Sequence, residues 1–452
     1  MKKNEKSVEE INRKIADGCA RVVTATEMIQ IVAEMGADNA VHEVDVVTTG
    51  TFGAMCSSGV WMNFGHSEPP MKMSRVWLND VEAYSSVAAV DAYLGATQPS
   101  RTRGIEYGGG HVIEDLVSGN SAYLQAEGAC TDCYPLRDLS AEIRLEDMNQ
   151  AVMSNPRNCY ERYAVATNSS QRSINTYMGK LLPDMENATY SGAGELSPII
   201  NDPTFRTIGI GTRIFLGGTE GYIIGSGTQH NPKSGFSTLM VQGNLKNMSP
   251  EFLRGATLAG YGPTLYVGVG VPIPIINADV ARSTGVSDAG ILTSVLDYGI
   301  QSRNRPSLAK VSYEELRSGM IEVNRKDVRT SSLSSLKVAR RIADRLRDLI
   351  MNKKFFLTMA VELLSTEATT HPMHARVKSS GTVTTTTVPS VSEYYVHRDE
   401  ASCIHCGLCV PYCPAGVFRQ DLTLTVTDEP SSCTECGACI DICPQQAITV
   451  RG

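Results

Sequence analysis

Eight of the chain's 13 cysteines lie between residues 403 and 443. "CIHCGLCVPYCP" sets Cys403, Cys406, Cys409 and Cys413 ahead of Pro414, and "CTECGACIDICP" sets Cys433, Cys436, Cys439 and Cys443 ahead of Pro444. The pattern C-x2-C-x2-C-x3-C-P therefore occurs twice. A loop of that length wraps three thiolates around three corners of an iron–sulfur cubane, and the fourth iron takes its thiolate from the other half of the repeat. The spacing predicts two [4Fe-4S] clusters. One uses Cys403, Cys406, Cys409 and Cys443, and the other uses Cys433, Cys436, Cys439 and Cys413. Gly407 and Gly437 relieve crowding where the backbone passes each cluster. Mononuclear zinc needs a single tetrahedron of ligands and leaves the doubled spacing unexplained.

This C-terminal stretch, residues 397–452, resembles the two-cluster bacterial-type ferredoxins, a small α+β fold with two halves about a pseudo-two-fold axis. Such a module passes electrons one at a time and does not name a reaction. The reaction must come from the rest of the chain.

Five cysteines remain: Cys19, Cys56, Cys130, Cys133 and Cys159. Cys19 and Cys159 read as small core residues. Cys130 and Cys133 form a C-x-x-C pair in "AEGACTDCYPLRD", which can cycle between dithiol and disulfide but also arises from turn geometry alone. Cys56 sits in "FGAMCSSGVW", where Gly53 and Gly59 allow close backbone approach and Ser57 and Ser58 can donate to a thiolate or an oxyanion. The local sequence leaves Cys56 open between a reactive thiol and an ordinary turn residue.

The remaining sequence must supply the scaffold. The 452 residues suggest two or three domains, and 42% hydrophobic content is ordinary for a globular chain. A formal net charge of -7 gives no sign of nucleic-acid binding. "MKKNEKSVEEINRKIADG" lacks the apolar core of a signal peptide, and "TLYVGVGVPIPIINADV", the most apolar stretch, is broken by glycine and proline, so a cytoplasmic protein without a membrane span is expected. Residues 1–366 read as a mixed α/β domain, 367–396 as a Ser/Thr-rich linker or edge strand, and 397–452 as the cysteine-rich module. Ser7 with Glu10 predicts a capped helix closed by Gly18, and Thr24 or Thr26 predicts a second closed by Gly36. "HEVDVVTTGTF" reads as a strand running into a glycine turn. A hairpin should turn within Gly217–Gly221. "SPEFLRGATLAGYGPTLYVGVGVPIPIIN" reads as a helix followed by a buried strand. "SSLSSLKVARRIADRLRDLIMNKKFF" reads as an amphipathic helix with a solvated basic face.

"GTFGAMCSSGVWMNFGHSEPPMKM", "VDAYLGAT", "YGGGHVIEDLVSG" and "TDCYP", in that order, resemble the homocysteine-biosynthesis sulfur-incorporation family over roughly residues 10–365. Some relatives carry a pair of regulatory cystathionine-synthase-type domains after this region, and others work with a separate small ferredoxin. The resemblance implies an L-aspartate semialdehyde sulfurtransferase activity yielding homocysteine. It also implies two essential cysteines, matched here by Cys56 and Cys133, while Cys130 stands where a glycine is expected.

Electron counting agrees with that implication. Converting an aldehyde and sulfide to a thiol and water takes two electrons, and sulfur arriving at the persulfide level takes two more. Cys56 or Cys133 would take up sulfur as a persulfide, exploiting thiolate nucleophilicity and an exchangeable S–S bond. His66 and His111 are candidate proton donors, although a lone histidine is more often structural. Gly108–Gly110 are candidates for a carboxylate-binding turn at a helix N-terminus, and Arg213, Gln229 and His230 are weaker substrate-binding candidates. The expected partners are a small aldehyde, a sulfur donor and an external electron donor, with homo-oligomerisation left open. Two other readings remain: a ferredoxin-linked reductase of another small substrate, and an electron-transfer subunit of a larger complex.

Overall fold

A computed structural model describes residues 5–302, 304–371, 395–413, 415–421, 424–427 and 438–451. The chain divides into two compact units, Met1–His371 and Pro372–Gly452. Both contain helices and strands, in keeping with a mixed α/β domain followed by a smaller α+β one.

Local capping explains the first helices. The Ser7 hydroxyl accepts the Glu10 N–H while the Glu10 carboxylate accepts the Ser7 N–H, and Gly18 in the left-handed region ends α1 (Val8–Asp17). Thr24, not Thr26, makes the same reciprocal pair with Glu27 at the start of α2 (Ala25–Met35). A third helix, α3 (Gly109–Val117), follows the glycine run, and the basic amphipathic stretch forms α4 (Leu336–Met351). Ile342, Leu346 and Ile350 of α4 are buried, and its arginines lie on the outer face.

The site is built on a nine-stranded sheet. Its strands are β1 (Thr51–Ala54), β2 (Gly59–Asn63), β3 (Asp91–Gly95), β4 (Gln150–Asn158), β5 (Arg213–Leu216), β6 (Thr219–Ser226), β7 (Leu239–Asn244), β8 (Leu253–Leu258) and β9 (Gly262–Gly270). The order is β8-β9-β5-β6-β7-β4-β2-β3, with β1 also paired to β9. The expected hairpin is present, with Leu216 opposite Thr219 across Gly217 and Gly218. α4 lies against β1 and β9 and approaches closely enough that a Cβ on Gly50 would sit 2.1 Å from the Ala339 carbonyl oxygen. Further sheets complete the unit. One of six strands includes Met73–Leu78 and Ala122–Gly128, another of six includes Val165–Thr167 and Leu292–Asp297, and one of three pairs Val22–Thr24, Val46–Thr48 and Pro272–Pro274.

Two expectations need correction. "SPEFLRGATLAGYG" does not open with a helix. Leu253–Leu258 is a strand in a hairpin with Gly262–Gly270, in register from Leu253 opposite Val267 to Leu258 opposite Gly262. A Cβ on Gly255 would sit 2.6 Å from the Gly110 carbonyl oxygen, a packing demand that helical propensity does not encode. The second is Cys19, which is exposed and not a core residue, whereas "HEVDVVTTGTF" holds a strand running into Gly50 as expected. Val46–Thr48 joins the three-stranded sheet, and after Gly50 the chain enters the nine-stranded one.

In the second unit, Tyr395–Arg398 pairs with Ile448–Arg451, and Phe418–Asp421 pairs with Leu424–Thr427. Short helices Cys409–Tyr412 and Ala438–Ile442 pack between them. The linker expected at 367–396 lies mostly outside the described residues, as do Cys433, Cys436 and Gly437. Among the described residues, no helix is long and apolar enough to cross a membrane.

Candidate active site and cluster-binding module

Cys56 lies in the four-residue loop between β1 and β2, and each neighbour has a fixed task. The N–H of Met55 donates to the Leu265 carbonyl at 2.7 Å, and the N–H of Ser58 donates back to the Met55 carbonyl at 3.0 Å, closing a tight turn. Ser57 Oγ donates to Asn155 Oδ1 and to the Arg157 carbonyl at 3.2 and 3.3 Å. Asn155 Nδ2 donates to Ser58 Oγ at 2.7 Å. Both candidate serines are thus spent fastening the loop to β4, and they position the thiol. Cys56 itself is half-buried, with Sγ 3.3 Å from Oγ1 of the fully buried Thr264 on β9.

Three phenols share this space. Burial pushes the Tyr160, Tyr261 and Tyr266 hydroxyls above the usual tyrosine range, and proximity to Cys56 pushes each further in the same direction. They stay protonated near neutrality and can donate to a developing oxyanion. Burial raises Tyr163 strongly, and Tyr177 and Tyr160 beside it raise it more. Tyr177 and Tyr298 meet hydroxyl to hydroxyl at 2.8 Å. Arg305 Nη1 donates to Tyr177 at 3.1 Å and its guanidinium lies 4.3 Å over the Tyr298 ring. This aromatic wall was not anticipated. Its members are scattered from residue 160 to 298, and only the fold collects them.

Cys130 and Cys133 are both exposed thiols in a tight turn in which Thr131 and Tyr134 exchange backbone hydrogen bonds at 3.1 and 3.0 Å. His66, also exposed, stacks on Tyr134 with ring centroids 5.9 Å apart. The C-x-x-C turn and His66 are therefore neighbours. Among the described residues, no hydrogen bond or ring contact joins that turn to the Cys56 loop.

The other candidates are committed to the fold. His111 Nδ1 accepts the Gly108 N–H at 3.2 Å and its ring stacks on Tyr107, which makes it an N-terminal cap of α3. The Gly109 and Gly110 N–H groups donate to the carbonyls of Gln98 and Ala96, each at 2.9 Å. The glycine run therefore has no free amides for a carboxylate. It serves close packing, since a Cβ on Gly110 would sit 2.2 Å from the Thr264 carbonyl oxygen. Arg213 pairs with Glu220, donates to the Phe356 carbonyl and covers the Phe355 ring. His230 is buried, accepting the Thr238 N–H at Nδ1 and facing the Ser365 carbonyl through Nε2. Gln229 is exposed in a left-handed conformation. Cys159 is fully buried and burial pushes its thiol far upward, as expected of an inert core cysteine.

In the second unit, Cys403, Cys406, Cys409 and Cys443 line one small cavity together with Gly407, Thr425 and Ile448. Burial pushes the Cys409 thiol up, and the nearby thiols of Cys403, Cys406 and Cys443 oppose its ionisation further. Four thiols crowded round one cavity are a ligand set that a cationic iron–sulfur core would stabilise as thiolates. No three His, Cys, Asp or Glu among the described residues are arranged for a single metal ion. The Val417 N–H donates to Cys413 Sγ and the Ala447 N–H to Cys443 Sγ, both at 3.3 Å. The same offset in both halves carries the repeat from sequence into structure. A Cβ on Gly407 would lie 2.2 Å from Gln420 Oε1, and the residue's positive φ favours glycine in any case.

Together, the fold and these two sites describe a thiol-bearing catalytic domain joined to an iron–sulfur module. Residues 20–357 match the family described as "Homocysteine biosynthesis enzyme, sulfur-incorporation", and residues 402–448 match the 4Fe-4S dicluster domain. The chain belongs to the homocysteine-biosynthesis, sulfur-incorporation family. It is 59% identical over 369 residues to the L-aspartate semialdehyde sulfurtransferase of Methanosarcina acetivorans, covering 82% of this chain and 74% of that one. It is 54% identical over 387 residues to the protein of the same name from Methanocaldococcus jannaschii, covering 82% and 75%. An uncharacterized protein of Methanothermobacter thermautotrophicus is 29% identical over 328 residues, covering 70% and 72%. No solved structure matches.

Proposed function

We propose that this protein converts L-aspartate semialdehyde to L-homocysteine by reductive sulfur transfer. The observation that carries this reading is the setting of Cys56: a half-buried thiol against a buried hydroxyl, faced by protonated phenols, in a chain of the sulfur-incorporation family. The names of the two similar archaeal proteins supply the substrate.

The Cys56 thiol is set for the aldehyde. Its attack on the carbonyl carbon places negative charge on oxygen, and the Tyr160, Tyr261 and Tyr266 hydroxyls are the available donors. The exposed Cys133, with Cys130 beside it, is the thiol open to a donor of sulfane sulfur: its thiolate takes the outer sulfur as a persulfide while the donor leaves as a thiol, and that outer sulfur then displaces Cys56 from the aldehyde carbon, leaving a disulfide-linked adduct for reduction. Aldehyde, hydrogen sulfide, two electrons and two protons give thiol and water. Sulfur at the persulfide level needs two further electrons and two further protons. Cys403, Cys406, Cys409 and Cys443 would hold one [4Fe-4S] cluster, and Cys413, Cys433, Cys436 and Cys439 a second. When bound, such clusters supply electrons singly from an external donor.

The test is homocysteine formation by anaerobic, reduced protein from L-aspartate semialdehyde and polysulfide as the sulfane-sulfur donor. Turnover should disappear in Cys56→Ser and in Cys133→Ser. Mass spectrometry after treatment with a polysulfide, which carries sulfane sulfur, should place one added sulfur on Cys133. Undiminished turnover in either variant would overturn the mechanism.

A further inference from the structure

Arg157 is half-buried and, among the described residues, forms no ion pair with any carboxylate. Its Nε is buried without an acceptor. The next residue, Asn158, is fully buried, and its Nδ2 also lacks an acceptor. Oδ1 of Asn158 is already used by the Cys159 N–H at 2.7 Å. Two adjacent residues thus hold back buried donors, which is costly unless something fills them.

Their position gives these donors a purpose. The register of β4 against β7 slips between Asn155 and Asn158, so Arg157 stands on a bulge. The bulge is fastened to the nucleophile's loop by Ser57, whose hydroxyl donates to the Arg157 carbonyl at 3.3 Å. The Tyr160 hydroxyl feels the charges of both Arg157 and Cys56, the first favouring its ionisation and the second opposing it. A guanidinium without a counter-ion thus stands on the bulge that anchors the Cys56 loop, and an unfilled amide donor follows it in the chain.

We infer that Arg157 and Asn158 form the subsite that holds the carboxylate of the substrate, fixing its aldehyde against Cys56. The inference rests on the proposed amino-acid aldehyde and adds where its charge is bound. Guanidinium presents a fork that fits a carboxylate, and an amide N–H₂ beside it satisfies a further lone pair. The buried donors then have their acceptor only when substrate is present.

The test separates this subsite from the reaction. Full-length, cluster-loaded protein is alkylated anaerobically with iodoacetate and with iodoacetamide, and the peptide carrying Cys56 is followed by mass spectrometry. The two reagents differ in a carboxylate, so Cys56 in the unsubstituted protein should prefer iodoacetate relative to the exposed Cys19. Arg157→Gln should reduce that preference about tenfold to a hundredfold, the loss expected for a charge-assisted hydrogen bond. It should leave the iodoacetamide rate unchanged. Arg157→Lys should keep part of the preference, and this also controls for misfolding. In turnover, Arg157→Gln should raise KM for L-aspartate semialdehyde far more than it lowers kcat, and discrimination against 3-aminopropanal, the same aldehyde without its carboxylate, should collapse. No iodoacetate preference in the unsubstituted protein, or one that survives Arg157→Gln, overturns the inference. An equal fall with both reagents also overturns it, because Arg157 would then act on the thiol. An Arg157-dependent preference in protein that makes no homocysteine would keep the subsite and remove the proposed substrate.

Discussion

Sγ of Cys56 and Oγ1 of Thr264 stand 3.3 Å apart although 208 residues separate them in the chain. The pair ties the Cys56 loop to β9 near its start, and Thr264 is wholly inaccessible to solvent. Thr264→Val preserves shape and removes the hydroxyl. Turnover should fall several-fold, by about 1 kcal/mol for one hydrogen bond, and Thr264→Ser should restore it. Equal rates in Thr264→Val and unsubstituted protein would leave the contact without a role in catalysis.

Gly110 reaches the same strand from the other side. A Cβ there would approach the Thr264 carbonyl to 2.2 Å, and the backbone on both sides is packed. Gly110→Ala should cost about 1–3 kcal/mol in a denaturant titration and disturb Cys56 through Thr264. A variant as stable as the parent would show that α3 can shift without consequence.

His111 gives the large domain a pH signature. Burial holds its imidazole below the ordinary value of 6.5, with Glu114 and Asp115 opposing the shift. Below pH 6.5 the unfolded ring takes up a proton that the folded ring still refuses, because Nδ1 accepts the Gly108 N–H. Its contribution is therefore complete above that pH and is lost as pH falls toward the lower folded value. His111→Gln keeps a capping acceptor that does not titrate. Melting temperatures of the two proteins should run parallel above pH 7 and diverge below 6.5, with the unsubstituted protein losing more as pH falls.

Cross-ligation predicts the outcome of single substitutions in the second unit. Cys443→Ser and Cys413→Ser should each remove the fourth ligand of a different cluster. Iron per chain should fall from about eight atoms toward about four in either variant, with loss from Cys443→Ser attributable to the cavity lined by Cys403, Cys406 and Cys409. Loss of all iron in both would indicate that the halves do not fill independently.

Cys159 should be silent. Its thiol is fully buried and strongly disfavoured from ionising. Native protein should leave it unlabelled by iodoacetamide, and Cys159→Ala should retain sulfur uptake. Labelling of Cys159 at the rate of Cys19 would contradict the buried placement.

Much of this was legible in the residues themselves because the signals were local. Ser7 with Glu10, and Thr24 with Glu27, are contacts three residues apart, and the helices they cap form where expected. The ferredoxin pattern is likewise a spacing rule, and four of its cysteines do line one cavity. Gly108–Gly110 was misread because a glycine run before a helix looks the same whether it receives an anion or lets a strand pass. His230 and Arg213 carry reactive groups whose partners, Thr238, Ser365 and Phe356, are set only by tertiary folding. Arg157 and Tyr160 carried no motif. The one available hint was the unusual run "SNPRNCY", where Pro156 interrupts a strand and forces a bulge.

The pairing of β1 with β9 has a consequence for how the protein is made. While the ribosome is still adding residues short of Gly262, the nascent Cys56 has neither its hydroxyl partner Thr264 nor Tyr266, and β1 has no β9 to pair with. Long-range pairings of this kind also form slowly once the chain is complete. Throughout that interval the thiol is open to oxidants, and sulfinic or sulfonic products are not reversed by ordinary reductants. Anaerobic expression should therefore affect the fraction of chains with an intact nucleophile as well as the loading of iron.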